Sequence, residues 1–272
     1  MKRGLIFLIL LAIWGHDLKA GTESELRTLL TGDDSRGWSG VGRLNFADGS
    51  FCTGALIAPD LVLTAAHCMY DGATGHRIPD ANVEFLADWR GGRASAYRGV
   101  SRSFVHPSFN PSGEDFVARV AHDLALLELD QPIRNTTVTP FDTNTSPHAG
   151  EEVGIVSYAY DRADSPSLQE VCNVLGEQGA SLILSCDIDF GSSGSPVFVL
   201  RNGVPQIVSV VSSKAEMSGQ KVALGMNLQA PLSELMAMRG AGDGVFGNAE
   251  PVVRRLTMTE TRNDTGAKFI RP

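Results

Sequence analysis

The sequence predicts an all-β protein, a barrel or a sandwich, and three features of the chain predict it. Apolar runs of strand length recur throughout: Phe51–Ile57, Leu61–Leu63, Asn82–Leu86, Leu124–Leu129, Val153–Tyr158, Ser181–Cys186, Val197–Leu200, Ile207–Val211 and Val222–Met226. Gly, Pro, Asp or Asn separates them, and short strands at regular spacing between turn residues are the mark of that class. Long amphipathic helical patterns are missing. A single late helix is expected, with Pro231 in its first turn, Leu232, Leu235, Met236 and Met238 as apolar residues, and Gly240 as its stop. A polar bridge, Asp130–Gly150, divides the β-rich region into two halves.

The chain has 272 residues, 43% of them apolar and 20% charged, which suits a folded chain with a sizeable core. Its formal net charge of −8, without a basic stripe, argues against nucleic acid as the main partner. Residues 1–20 read as a secretory signal peptide: Lys2 and Arg3, an apolar run from Leu5 to Trp14, then a short polar stretch ending at Ala20. That run is too short for a stable membrane anchor. Residues 21–36 are polar and read as an extended lead-in or a removable pro-segment. Residues 239–272 carry mixed charges without a period and read as a loosely attached tail. An exported chain folds where disulfides persist. The four cysteines allow three pairings, of which Cys52–Cys68 with Cys172–Cys186 is the economical one. No CxxC spacing points to a metal, and neither metal nor cofactor is expected.

Three motifs carry chemistry. LTAAHC places His67 after an apolar strand at a turn made tight by Ala65 and Ala66, and a bridge from Cys68 to Cys52 would pin that turn. An imidazole acting as general base must be held within hydrogen-bond reach of its nucleophile. AHDLALLEL sets Asp123 directly before an apolar strand. A half-buried carboxylate there needs donors, and an imidazole N–H is one. His122 falls on the opposite side of that strand. FGSSGSPVF offers three serines. Ser193 has Gly191 two residues before and Gly194 just after, so its own N–H and that of Gly191 can converge on one oxyanion, while Ser192 and Ser195 point away. Taken alone, GSSGSP is a flexible turn and Asp123 a surface acid opening a strand. The three motifs in the order His67, Asp123, Ser193 argue for more.

LTAAHC, HDLALLEL and GSSGSPVF resemble the three signature regions of the trypsin-like, chymotrypsin-fold serine proteases, over about residues 37–239. The resemblance implies a protease domain over 37–238. It implies two six-stranded antiparallel β-barrels, about 37–130 and 150–230, then a helix at about 231–239, with the active site between the barrels. It implies that His67, oriented by Asp123, activates Ser193, and that Gly191 and Ser193 supply the oxyanion hole. The expected partner is a protein or peptide substrate, cleaved by a secreted or periplasmic monomer. Ser209, in IVSVV, resembles the family's segment that pairs with the substrate backbone.

The chain also departs from the animal digestive enzymes. Ser192 stands where they carry the aspartate that receives a new N-terminus, and no IVGG-like start precedes Gly37. The serine loop resembles that of the bacterial glutamyl-endopeptidase-like branch. Asp187, six residues before Ser193, lies where an acid in trypsin-type relatives holds a basic side chain, whereas Val211 is expected to narrow the pocket mouth. Specificity is accordingly expected for Arg or Lys first, small aliphatic residues second and acidic residues third. The alternative reading is a catalytically silent binding protein on the same fold.

Overall fold

Six strands near the start of the chain, most of them buried along nearly their whole length, close on themselves. In the computed structural model, which describes residues 23–145 and 147–241, the elements run as follows. The first half holds β1 (Arg27–Thr28), β2 (Val41–Phe46), β3 (Phe51–Ala58), β4 (Leu61–Thr64), β5 (Val83–Ala87), β6 (Ala96–Val105), α1 (Phe116–Ala121) and β7 (Ala125–Leu129). The second half holds β8 (Asp142–Thr143), β9 (Glu152–Ser157), β10 (Ser167–Gln178), β11 (Ser181–Leu184), β12 (Pro196–Arg201), β13 (Val204–Met217), β14 (Gln220–Met226) and α2 (Gln229–Gly240). The order β2-β3-β4-β7-β6-β5 is a closed antiparallel barrel. A second ring runs β9-β10-β11-β14-β13-β12 and returns to β9. Closure leaves no long unpaired edge in either ring. Among the described residues no helix is long and apolar enough to cross a membrane.

Leu44, Leu56, Leu63, Phe85 and Leu126 fill the first barrel, and Val153, Ile155, Leu184, Val197 and Val208 fill the second. Where the rings meet, Phe198 of β12 packs edge-on against Trp38 at 5.0 Å and against Phe141 at 4.8 Å between centroids. Phe141 belongs to the polar bridge. That bridge is pinned by three buried apolar residues, Ile133, Val138 and Phe141, and by N–H donation from Ile133 to Pro59 and from Phe141 to Leu56.

The polar segment before Gly37 is built into the second ring. β1 pairs with β10, Ser24 donates its N–H to Val171, and Leu29 is fully buried. The late helix is one to two residues longer at each end than its pattern indicates. Arg239, at its last turn, reaches Asp60 at 3.0 Å and Glu128 at 3.2 Å on the first barrel. The short helix α1 was not expected. Six residues hold less than two turns of pattern, and its start is set by Asp115, whose side chain accepts from Ala118 N–H at 3.0 Å. Both disulfides, Cys52–Cys68 and Cys172–Cys186, form. The expected signal peptide, residues 1–20, and most of the expected tail lie outside the described residues.

Strand β3 holds the two rings in register at one place. Thr53, fully buried, donates its N–H to the carbonyl of Ser193 at 2.8 Å and its hydroxyl to the carbonyl of Gly191 at 3.0 Å. The same hydroxyl accepts from Tyr158 N–H at 3.1 Å. Thr53→Val keeps the volume but leaves the Gly191 carbonyl and the Tyr158 N–H buried without this partner. The expected loss is about 2 kcal/mol, read as a lower denaturation midpoint at unchanged slope, while Thr53→Ser stays close to wild type. The paired change Cys52→Ala with Cys68→Ala releases a loop of 16 residues, and calorimetry should show it less stable by about 3 kcal/mol.

Candidate active site

His67 leaves the barrel where β4 ends. Ala65 and Ala66 are fully buried, so the chain can turn inward without a side chain in the way, and a short 3-10 turn over Ala66–Met69 follows. The disulfide from Cys68 to Cys52 fastens that turn to β3. Asp123 comes from the connection between α1 and β7 and is 2% exposed. Its carboxylate accepts three bonds: from the His67 backbone N–H at 2.7 Å, from His67 Nδ1 at 2.7 Å and from the Ser212 hydroxyl at 2.5 Å. A carboxylate can only accept, so Nδ1 carries the proton and Nε2 keeps the basic lone pair. Burial disfavours the imidazolium. The charge and hydrogen bond of Asp123 outweigh burial and a weaker repulsion from Arg119, and the pKa of His67 is raised above the ordinary histidine value. His122 faces away from this site, stacks on His106 at 5.0 Å and bonds through Nδ1 to the Ala118 carbonyl at 2.8 Å.

The serine loop separates its three hydroxyls by burial. Ser192 and Ser195 are fully buried. The Ser192 hydroxyl donates to the Tyr158 carbonyl at 3.2 Å, and the Ser195 hydroxyl has no partner among the described residues. Ser193 is half-buried and lines a cavity of about 630 Å³ together with His67. A turn closed by Ser192 N–H on the Asp189 carbonyl at 2.9 Å precedes it, with Gly191 at φ 95°. A positive φ at the third residue of such a turn favours glycine. A side chain there would also strike the Phe51 ring, and one at Gly194, at φ 80°, would strike the Thr53 carbonyl and the Thr64 hydroxyl. Gly191 lines the same cavity as Ser193, and neither N–H donates to an acceptor among the described residues.

The expected substrate contacts fall differently. Ser209 is fully buried, pairs with Val197 in the ladder and gives its hydroxyl to the Met226 carbonyl at 2.7 Å, so it is unavailable to a substrate backbone. The serine that joins the site is Ser212, three residues on. A bulge between Val211 and Ser213 breaks the register of β13 on β14 at that point and re-aims the chain. Counting along IVSVVSS does not show which serine the bulge selects. Val211 does line the cavity, but it is 1% exposed and its N–H donates to the Ser195 carbonyl, so it forms the floor rather than a wall at the mouth. Asp187 is exposed and lines a separate cavity with Lys214 and Lys221. Among the described residues one cluster has metal-ligating types, Cys52, His67 and Cys68, and its two sulfurs are joined in the disulfide, leaving no thiolate to offer.

The family model for trypsin matches residues 32–230, more than half of the chain. A glutamyl endopeptidase of Bacillus licheniformis is 30% identical over 185 residues, which is 67% of this chain and 56% of that protein's length. Serine protease 23 of Mus musculus is 30% identical over 180 residues, covering 57% of this chain and 44% of its own. The chain thus spans about half the length of these relatives. The solved structure of a Glu endopeptidase in complex with MPD superposes with a TM-score of 0.64 at 22% identity, over 81% of this chain and 98% of that one, and so shares its fold. With the family model matched over both barrels and the serine loop, the chain belongs to the trypsin family.

Proposed function

We propose that the protein is an exported serine endopeptidase that cleaves polypeptides through an acyl-enzyme. The observation that carries this reading is that Ser193, alone of the three loop serines, opens on the cavity that His67 lines, and His67 is bonded to the buried carboxylate of Asp123. A scissile carbonyl in that cavity would be attacked by Ser193 Oγ while His67 Nε2 takes the hydroxyl proton. The negative charge that develops on the carbonyl oxygen would be met by the N–H groups of Gly191 and Ser193. The proton on Nε2 then passes to the leaving amine, and the C–N bond breaks. Water, deprotonated by the same Nε2, releases the carboxylic acid and restores the hydroxyl. Asp123 stabilises the imidazolium formed in both halves and fixes its tautomer. Ser212 holds Asp123 from the second barrel, a positioning role. Two disulfides and the leader pattern support a site of action outside the cytoplasm.

Ser193→Ala should abolish peptide hydrolysis and covalent labelling by a fluorophosphonate probe while leaving thermal unfolding unchanged. Labelling that survives in Ser193→Ala and vanishes in Ser195→Ala would refute the assignment. The base must be neutral to act, and its pKa in the folded protein lies above the ordinary histidine value of 6.5. The kcat/KM profile should therefore fall on the acid side through a midpoint above that value. Asp123→Asn removes the charge that raises it, so the limb should move to lower pH, and kcat should drop by about 10⁴-fold.

A further inference from the structure

Beside Ser193, Lys214 borders two cavities. Lys214, in β13 two residues after Ser212, crosses to the loop that precedes the nucleophile. Its Nζ lies 2.8 Å from Asp189 Oδ1 and 3.8 Å from the centroid of the Phe190 ring. The cavity of about 630 Å³ that holds Ser193 and the cavity of about 410 Å³ that holds Asp187 share two lining residues, Ile188 and Lys214. Lys214 and Ile188 thus stand where the two cavities adjoin, between β13 and the serine loop. Asp187, the acid whose spacing from Ser193 pointed to Arg or Lys, lies on the far side.

We propose that Lys214 is a specificity-determining residue. Strapped to Asp189 and Phe190 where the two cavities adjoin, it screens Asp187 from the cleft and bars arginine and lysine side chains from the position before the scissile bond. This rests on the endopeptidase reading above. An entering cation meets the Lys214 ammonium before it can reach Asp187, and Asp189 is already paired with that ammonium. The Lys214 hydrogen bond and the Phe190 N–H hold Asp189 below the ordinary carboxylate range, so it stays ionised and keeps the strap in place. The ammonium over the ring of Phe190 is a second contact that fixes the direction of the lysine stem. Lys214 and Asp189 are half-exposed, and such a pair is weak by itself. The strap therefore opens when one partner is removed, without loss of the barrel. Substrates with arginine or lysine before the scissile bond are therefore disfavoured.

The test uses peptide substrates that differ only in that residue, Ala or Arg, with wild type, Lys214→Ala, and Lys214→Ala combined with Asp187→Asn. Fluorophosphonate labelling counts active sites in each. Wild type should favour Ala over Arg, and Lys214→Ala should raise the Arg-to-Ala ratio of kcat/KM by about tenfold or more, equal to about 1.4 kcal/mol. Adding Asp187→Asn should remove the gain, since the uncovered acid is its source. Lys214→Ser replaces Lys214→Ala if the latter labels poorly. A wild-type preference for Arg overturns the proposal, as does a smaller change of ratio in a fully labelled variant or a gain that survives Asp187→Asn. A wild type that neither labels nor cleaves any of the peptides defeats the endopeptidase reading, and this proposal with it.

Discussion

The site depends on the close approach of β3 to the serine loop. Phe51 and Thr53 press against Gly191 and Gly194 so closely that no side chain fits at either glycine, and Thr53 bonds both the Gly191 and the Ser193 carbonyl. Those carbonyls point into the first barrel, which leaves the N–H groups of the same two residues without acceptors on the cavity side. Between the two contact residues sits Cys52, whose disulfide fastens the turn that carries His67. Three consecutive residues of one strand thereby position the imidazole turn and the serine loop, although those two segments lie in different barrels.

Asp123 performs the same service for His67. It accepts from the backbone and the ring of His67, both in the first barrel, and from Ser212 in the second. A buried carboxylate without donors would be costly. Here the donors that satisfy it also fix the tautomer of His67 and bind β13 to the first barrel. The polar network is buried because its members complete one another, and each bond that orients the imidazole also closes the gap between the rings.

The fold was largely legible in the chain. Strand-length apolar runs with glycine, proline or acidic residues between them fall on the observed strands, since a barrel strand buries alternate or successive apolar residues whatever its neighbours are. That His67 meets Asp123 and shares a cavity with Ser193 agrees with the local context of each: alanines for a tight turn, a strand start for a buried acid, and glycines beside a half-buried serine. What escaped were features with no local signature. The helix α1 holds less than two turns of pattern. The anchoring role of Thr53 is invisible because any residue can offer its N–H, and the hydroxyl acts across a sequence gap of 138 residues.

Composition, period and motif, by themselves, determined an all-β chain and an economical pairing of its cysteines, and singled out His67, Asp123 and Ser193 as candidates, because each of these follows from local sterics and local polarity. Only the tertiary structure decided which serine of β13 meets Asp123, since a bulge of one residue at Ser212 changes which side chain faces the site. It also decided that Ser209 and Val211 are core and floor, and that Asp187 lines a cavity other than the one that holds Ser193. Register and tertiary contacts arise between segments distant in the chain, and a spacing counted along one segment carries no term for what lies opposite it.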